Sequence, residues 1–199
     1  AFFLIVSFII SYLIVKNFGT NLLVNTILIG SALYLFLITV RDFLKKRLKN
    51  FSQNLSHFGF SLLILSILLN NIFSSEIITN LKVGESFKNE KFEIQFNELK
   101  KFQDKNFISF KGYFLIKENS ASEKLEPELR VYNQPNIVTS EADIKTTFLT
   151  DKFITMNTVQ NEEYFNIRYQ VKPFMLWIWI SVLLISLGGI ISLLKRKNL

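Results

Sequence analysis

The chain contains one histidine, His57, at the mouth of a long apolar run that reads Asn-Leu-Ser-His-Phe-Gly-Phe-Ser-Leu-Leu-Ile-Leu over residues 54–65. Ionisable side chains are rare in membrane-spanning segments because hydrocarbon does not solvate charge. A neutral imidazole keeps a nitrogen lone pair that binds metals, heme iron among them. The chain has no cysteine, so His57 is its strongest candidate for an iron ligand. Two readings stand side by side. In one, His57 is an interfacial side chain solvated by headgroups. In the other, it is an axial ligand to heme or a proton-relay group. Gly59 and Ser61 nearby leave room for a bulky group and equally suit close helix packing.

Three further constellations have the residue types for chemistry or packing. Thr139, Ser140, Glu141, Ala142, Asp143 and Ile144 bring two hydroxyls and two carboxylates together. That grouping also suits a turn or helix cap. The last apolar run opens with Tyr169, Lys172, Pro173, Phe174, Trp177 and Trp179. This reads as an aromatic belt at a membrane surface, with proline pre-set for the first helical turn. Gly188, Gly189 and Ser192 form a small-residue patch that implies a neighbouring helix. There is no Ser/His/Asp set, glycine-rich phosphate loop or zinc cluster in the sequence. No residue is assigned a catalytic role, and these absences argue against a self-contained hydrolase or nucleotide enzyme. Without a Cys-x-x-Cys-His motif, the chain is not itself a c-type cytochrome.

The elements that must position these residues are membrane helices. The hydrophobic fraction is 49% and the mean hydropathy +0.28, values of a membrane protein. Apolar runs cover Ala1–Val15, about Asn21–Val40, about Leu55–Phe73 and about Pro173–Leu194. The last three approach the roughly 20 residues that cross the hydrocarbon core. The first is short and lacks the basic n-region and cleavage site of a signal peptide. The expectation is that the chain begins inside a helix and is the C-terminal piece of a larger protein.

The net charge of +7 is unevenly placed. Residues 76–172 hold 14 Lys+Arg and 15 Asp+Glu, and the rest hold 9 Lys+Arg and one Asp. The excess therefore lies beside the apolar runs, where it sets topology; it is not a nucleic-acid face. Arg41, Lys45, Lys46, Arg47 and Lys49 follow the second run, and Lys195, Arg196 and Lys197 end the chain. Both groups are expected to face the cytoplasm, or the matrix in a mitochondrion, which leaves residues 76–172 outside.

That outer segment alternates. Phe92, Ile94 and Phe96 alternate with Glu93 and Gln95. Ile108, Phe110, Gly112, Phe114 and Ile116 share one face, with Ser109 and Lys111 opposite. Phe165, Ile167, Tyr169 and Val171 line a third strand. Period-two alternation marks half-buried strands. Glu118–Pro127 is polar and reads as a loop. The expected fold class is an α-helical transmembrane bundle of about four helices. One small β-rich extracytoplasmic domain lies between the third and fourth. The boundaries are 1–75 for three helices with a basic cytoplasmic loop at 41–54, 76–172 for the outer domain, and 173–199 for the final helix and basic tail.

Three places, in order and spacing, resemble the C-terminal part of the CcmF/NrfE/CycK family, membrane subunits of cytochrome c maturation often called heme lyases. They are His57-Phe-Gly-Phe running to Ser74-Ser75-Glu76; Arg130-Val-Tyr with Thr139-Ser-Glu-Ala-Asp-Ile; and Lys172-Pro-Phe-Met-Leu-Trp-Ile-Trp-Ile leading to Leu187-Gly-Gly. The match covers about residues 41–197. The resemblance implies a multi-pass protein of the bacterial inner membrane, or of the mitochondrial inner membrane if organellar, with 76–172 in the periplasm. It implies a component of a holocytochrome c synthetase that receives heme from CcmE and works with CcmH and CcmI. The heme is delivered to the Cys-x-x-Cys-His site of apocytochrome c. It further implies that His57 is one of two axial ligands to a resident heme b. The family's tryptophan-rich segment, its two outer-face histidines and the second heme b ligand are absent from this sequence. The resemblance therefore implies a fragment or split subunit, inactive alone, completed by the N-terminal part of the same protein or by a partner subunit. Two other readings remain: a ResB-type System II assembly protein, or a non-heme envelope scaffold or transporter accessory subunit.

Overall fold

Apolar runs of this length leave the backbone no water to bond, so they close their hydrogen bonds internally as helices. In the computed structural model, which describes residues 2–18, 21–45, 50–118, 121–159 and 163–197, four helices form: α1 (Phe2–Phe18), α2 (Leu22–Lys45), α3 (Phe51–Phe73) and α4 (Met175–Lys197). Of these, α2, α3 and α4 are long and apolar enough to cross a membrane, and α1 is a shorter apolar helix. Lys46, Arg47 and Lys49 of the expected basic loop lie outside the described residues, as do Ala1 and the side chains of Arg196 and Lys197.

The chain divides into two units, each with its own contacts. The first contains the four helices and residues 147–150. Small and hydroxyl residues set its helix contacts. Ser7, Ser11 and Val15, spaced by four, form the buried stripe of α1. The Ser11 hydroxyl donates to the Thr26 carbonyl of α2 at 2.8 Å. Thr39 of α2 and Ser61 of α3 share a hydrogen bond at 2.6 Å. Between α3 and α4 the backbones close in at Gly59 and Gly188. A Cβ on Gly59 would lie 3.0 Å from the Ile185 nitrogen, and one on Gly188 would lie 2.8 Å from the Ser52 carbonyl oxygen. The small-residue patch thus finds its neighbour within this chain at Gly188, whereas a Cβ on Gly189 would meet nothing.

The second unit is a β-sandwich. One sheet orders β1 (Ser75–Leu81), β10 (Phe165–Pro173), β9 (Thr150–Thr158) and β8 (Asp143–Thr146). The other orders β2 (Ser86–Lys88), β3 (Phe92–Gln103), β4 (Phe107–Glu118), β6 (Glu128–Tyr132) and β7 (Ile137–Glu141), with β5 (Ala121–Leu125) also paired to β4. Strands β3, β4 and β10 are those announced by alternation. Their inward residues Ile94, Phe96, Phe114, Ile116, Ile167 and Tyr169 build the core with Leu125, Leu129, Ile154 and Met156. Phe96 and Phe114 are register partners whose rings stack at 4.4 Å. Gly112 is required beside them, because a Cβ there would sit 2.7 Å from the Phe114 ring.

Several expectations need correction. Glu118–Pro127 is not simply a loop, since β5 pairs with β4 from Phe114↔Leu125 to Glu118↔Ala121. Leu125 is buried in the core, and the polar look of the strand comes from Glu123, which meets Lys152 of β9 at 3.6 Å. Thr139–Ile144 caps no helix. It carries the chain from β7 in one sheet to β8 in the other, with only Ala142 between them. Ser109, opposite the apolar face of β4, is itself buried, and its hydroxyl donates to Glu128 at 3.2 Å. Tyr169 is a core residue rather than part of an aromatic belt. Pro173 ends β10 and does not open the helix: α4 starts at Met175, after Phe174 adopts a left-handed φ of 62°.

Candidate functional site

Helix α3 places His57 six residues from its first residue, Phe51, about 9 Å along the axis at 1.5 Å per residue. The buried face of α3 is Leu55, Gly59, Ser61, Leu62, Leu65 and Ser66. On its α2 side, the Phe58 ring meets Phe36 and Phe43, each at 5.7 Å. On its α4 side, Ser56 donates to the Ile185 carbonyl at 3.4 Å. These contacts leave His57 and Phe60 exposed on the remaining face.

The His57 ring lines a polar cavity of about 400 Å³. Its other walls are Thr39 and Asp42 of α2, with Asn50, Gln53 and Asn54 at the start of α3. Asn50, Gln53, Asn54 and His57 follow the i, i+3, i+4, i+7 spacing of one helical face. Their collection into a cavity was therefore legible in the spacing. The contributions of Thr39 and Asp42 depend on how α2 packs. The Gln53 amide nitrogen lies 3.4 Å from Nε2 of His57. The amide nitrogen can only donate, so in this contact His57 Nε2 accepts, and a metal at Nε2 would take the place of the Gln53 amide. Gly59 and Ser61 do not enlarge this space, because Gly59 meets α4 and Ser61 meets Thr39.

The acids and hydroxyls of Thr139–Ile144 do not converge on one point. Thr139 donates to Glu141 at 3.0 Å. Ser140 donates across the sandwich to the Met156 carbonyl at 2.8 Å. Asp143 accepts the Glu126 backbone N–H at 2.6 Å. These are structural bonds that hold the crossing between sheets. Among the described residues there is no group of three or more metal-ligating side chains of the His/Cys/Asp/Glu type.

A second polar cluster centres on Glu128. Its carboxylate meets Lys111 at 3.0 Å and Arg130 at 3.1 Å, and Arg130 lies over the Phe107 ring at 5.1 Å. Burial works to push the Glu128 carboxyl up, but hydrogen bonds from Lys111 and Arg130 outweigh it and hold the pKa below its ordinary value of 4.5. A carboxyl with a depressed folded-state pKa stabilises the fold above its unfolded value and loses that contribution as the pH falls through the folded one. Glu128→Gln is therefore expected to lower the melting temperature of the sandwich at pH 7. The gap from wild type is expected to shrink as the pH falls below 4.5. Melting curves across this range check it; a gap independent of pH would exclude the ion pairs as its source.

The family described as "CcmF C-terminal beta-sandwich" matches residues 72–173, just over half of the chain. The chain belongs to the CcmF family. The matched segment contains all ten strands, and His57 precedes it on α3. Among curated CcmF-family relatives, the cytochrome c-type biogenesis protein CcmF of Pseudomonas fluorescens is 30% identical over 146 residues, 73% of this chain and 22% of that protein. The cytochrome c-type biogenesis protein NrfE of Haemophilus influenzae is 25% identical over 176 residues, 86% of this chain and 28% of that protein. The chain thus spans about a quarter of the length of these relatives. A solved structure named "Cytochrome c Heme Lyase CcmF" shares the fold with a TM-score of 0.68 at 16% identity, over 94% of this chain and 33% of that one. Together with three apolar helices of spanning length, this makes the chain a membrane protein with a β-sandwich domain.

Proposed function

We propose that this chain is the C-terminal part of a heme lyase subunit of System I cytochrome c maturation, and that His57 is one axial ligand to a heme b resident in its membrane region. The observation that supports this most is the exposed imidazole of His57 beside a polar cavity at the end of an apolar helix. The donor chemistry fits: a neutral imidazole is a heme-iron ligand, and this one is not consumed by packing within the chain. It is also the chain's only histidine, so the second ligand comes from the remainder of the protein or from a split partner subunit.

A bound heme supplies one-electron transfer at this position. The chain's own residues fix the ligand. Gln53, one turn earlier, reaches Nε2 and would yield that position to iron. The Thr39–Ser61 bond and the Gly188 contact hold α3 against rotation about its axis. Arg41 and Lys45 at the end of α2, with Lys195 at the end of α4, face the cytoplasm by the positive-inside rule. On that orientation the sandwich lies in the periplasm, with the membrane being the bacterial inner membrane or its mitochondrial counterpart. The sandwich is then on the side where CcmE, CcmH, CcmI and apocytochrome c meet. This chain alone lacks the parts to transfer heme.

The test uses the full-length assembly purified in detergent. A low-spin b-type spectrum is expected, lost or converted to high-spin in His57→Ala. An unchanged spectrum removes His57 as the ligand.

A further inference from the structure

We infer that the turn joining β8 to β9, residues 147–150, is a lipid-inserted anchor at the headgroup–acyl boundary of the membrane. This rests on the membrane-spanning character of α4 and not on the heme reading. The apex side chains Phe148 and Leu149 are 63% and 55% exposed. Thr147, Phe148, Leu149 and Thr150 carry no charge. The turn groups with the helices and not with the sandwich whose strands it joins.

Its position is set by α4. The Trp177 indole N–H donates to the Phe148 carbonyl at 3.1 Å, and the Phe174 N–H donates to the Leu149 carbonyl at 2.7 Å. The Phe148 ring meets the Trp177 ring edge-on at 4.8 Å. Trp177 is the third residue of an apolar spanning helix, so the apex lies at the level of that helix's first turn. Tryptophan at such a level belongs to the membrane interface.

The apex carbonyls of the turn are also satisfied in the way a lipid environment demands. Hydrocarbon offers no partner for a free carbonyl. Here both apex carbonyls are taken by α4 and its leading residue. At the base, Thr147 and Thr150 bond reciprocally. The Thr147 hydroxyl donates to the Thr150 carbonyl at 2.8 Å and accepts the Thr150 N–H at 3.0 Å. Two large apolar side chains above a closed hydrogen-bond ring, continuous with the apolar surface of α4, fit acyl chains. Exposed Lys145, two residues before the turn, has the reach to place its ammonium among headgroups.

The absence of cysteine in this chain gives a clean labelling background. In the full-length protein, with any other cysteines replaced, Leu149→Cys carries a nitroxide label after reconstitution in phospholipid vesicles. Accessibility to oxygen, which concentrates in lipid, is compared with accessibility to a water-soluble nickel chelate. Asn106→Cys, in an exposed turn of the sandwich, is the aqueous reference. The oxygen-to-nickel ratio at position 149 is expected to be several-fold above the reference. A ratio equal to the reference places the turn in water and overturns the inference. Low accessibility to both reagents overturns it too, because the turn is then covered by protein.

Discussion

Gly188→Leu is expected to separate α3 from α4 and destabilise the helical unit, whereas Gly189→Leu is expected to leave it intact. At position 188 even a Cβ would press on the Ser56 hydroxyl and lie 2.8 Å from the Ser52 carbonyl oxygen and 2.9 Å from the Ser56 nitrogen. Two of these three atoms are backbone, so no side-chain rotation relieves the contact. Overpacking costs about 1–3 kcal/mol where side chains can shift, and more is expected where a whole helix must move. At position 189 the added group meets open space. The displaced segment is the turn of α3 that carries His57, so on the proposed ligation Gly188→Leu should also weaken the low-spin heme signal of the full-length assembly. Thermal stability in detergent, measured on the pair of variants, checks this. Equal behaviour of the two would show that the α3–α4 contact does not matter.

The second large effect is in the sandwich. Phe96→Ala removes a fully buried ring that stacks on Phe114 at 4.4 Å and meets Phe165 edge-on at 5.6 Å. Phe→Ala in a core costs about 3–5 kcal/mol, against a total domain stability of about 5–15 kcal/mol. For a domain of this size the melting temperature is expected to fall by at least about 12 °C, since each kcal/mol is worth about 4–8 °C. Phe102→Ala, on the same strand but 48% exposed, is the control, and surface changes of that kind stay within about 0.5 kcal/mol. Near-UV circular dichroism on heating follows the unfolding. Similar shifts in the two variants would mean that Phe96 is not at the centre of the core.

How far the sequence foretells these effects depends on where each residue's partner lies. The helices were legible because an apolar run needs no partner to announce itself. Strands β3, β4 and β10 were legible because their own alternation records a buried face. Strand β5 was hidden: at Glu123 a charged residue takes an inward position, made tolerable by Lys152 from β9. Strand β1 was hidden by Ile78, which is 60% exposed beside inward-facing Ile77, so no clean alternation survives. At the candidate site, His57 stood out by being the only residue of its kind. Gln53 and Asn54 shared its helical face in plain view. Thr39 and Asp42 came from another helix, and nothing in their local sequence points to α3. The roles of Gly59 and Gly188 were visible only as small size, and the structure supplied the neighbour.

The pairing of β1 with β10, from Ser75↔Val171 to Leu81↔Phe165, has a consequence for synthesis. The first strand of the sandwich waits for the last, so the sheet cannot close until nearly all of the domain has been made. At about 5–20 residues per second, the roughly one hundred residues between these partners take about 5–20 s to appear. Throughout that interval β1 presents an open edge, and α3 sits in the membrane without the helix that packs on it. The next segment made after β10 is α4 itself. Sheet closure and the insertion of α4 therefore fall at the same moment of translation, and a ribosome pause near residue 171 would leave both undone together.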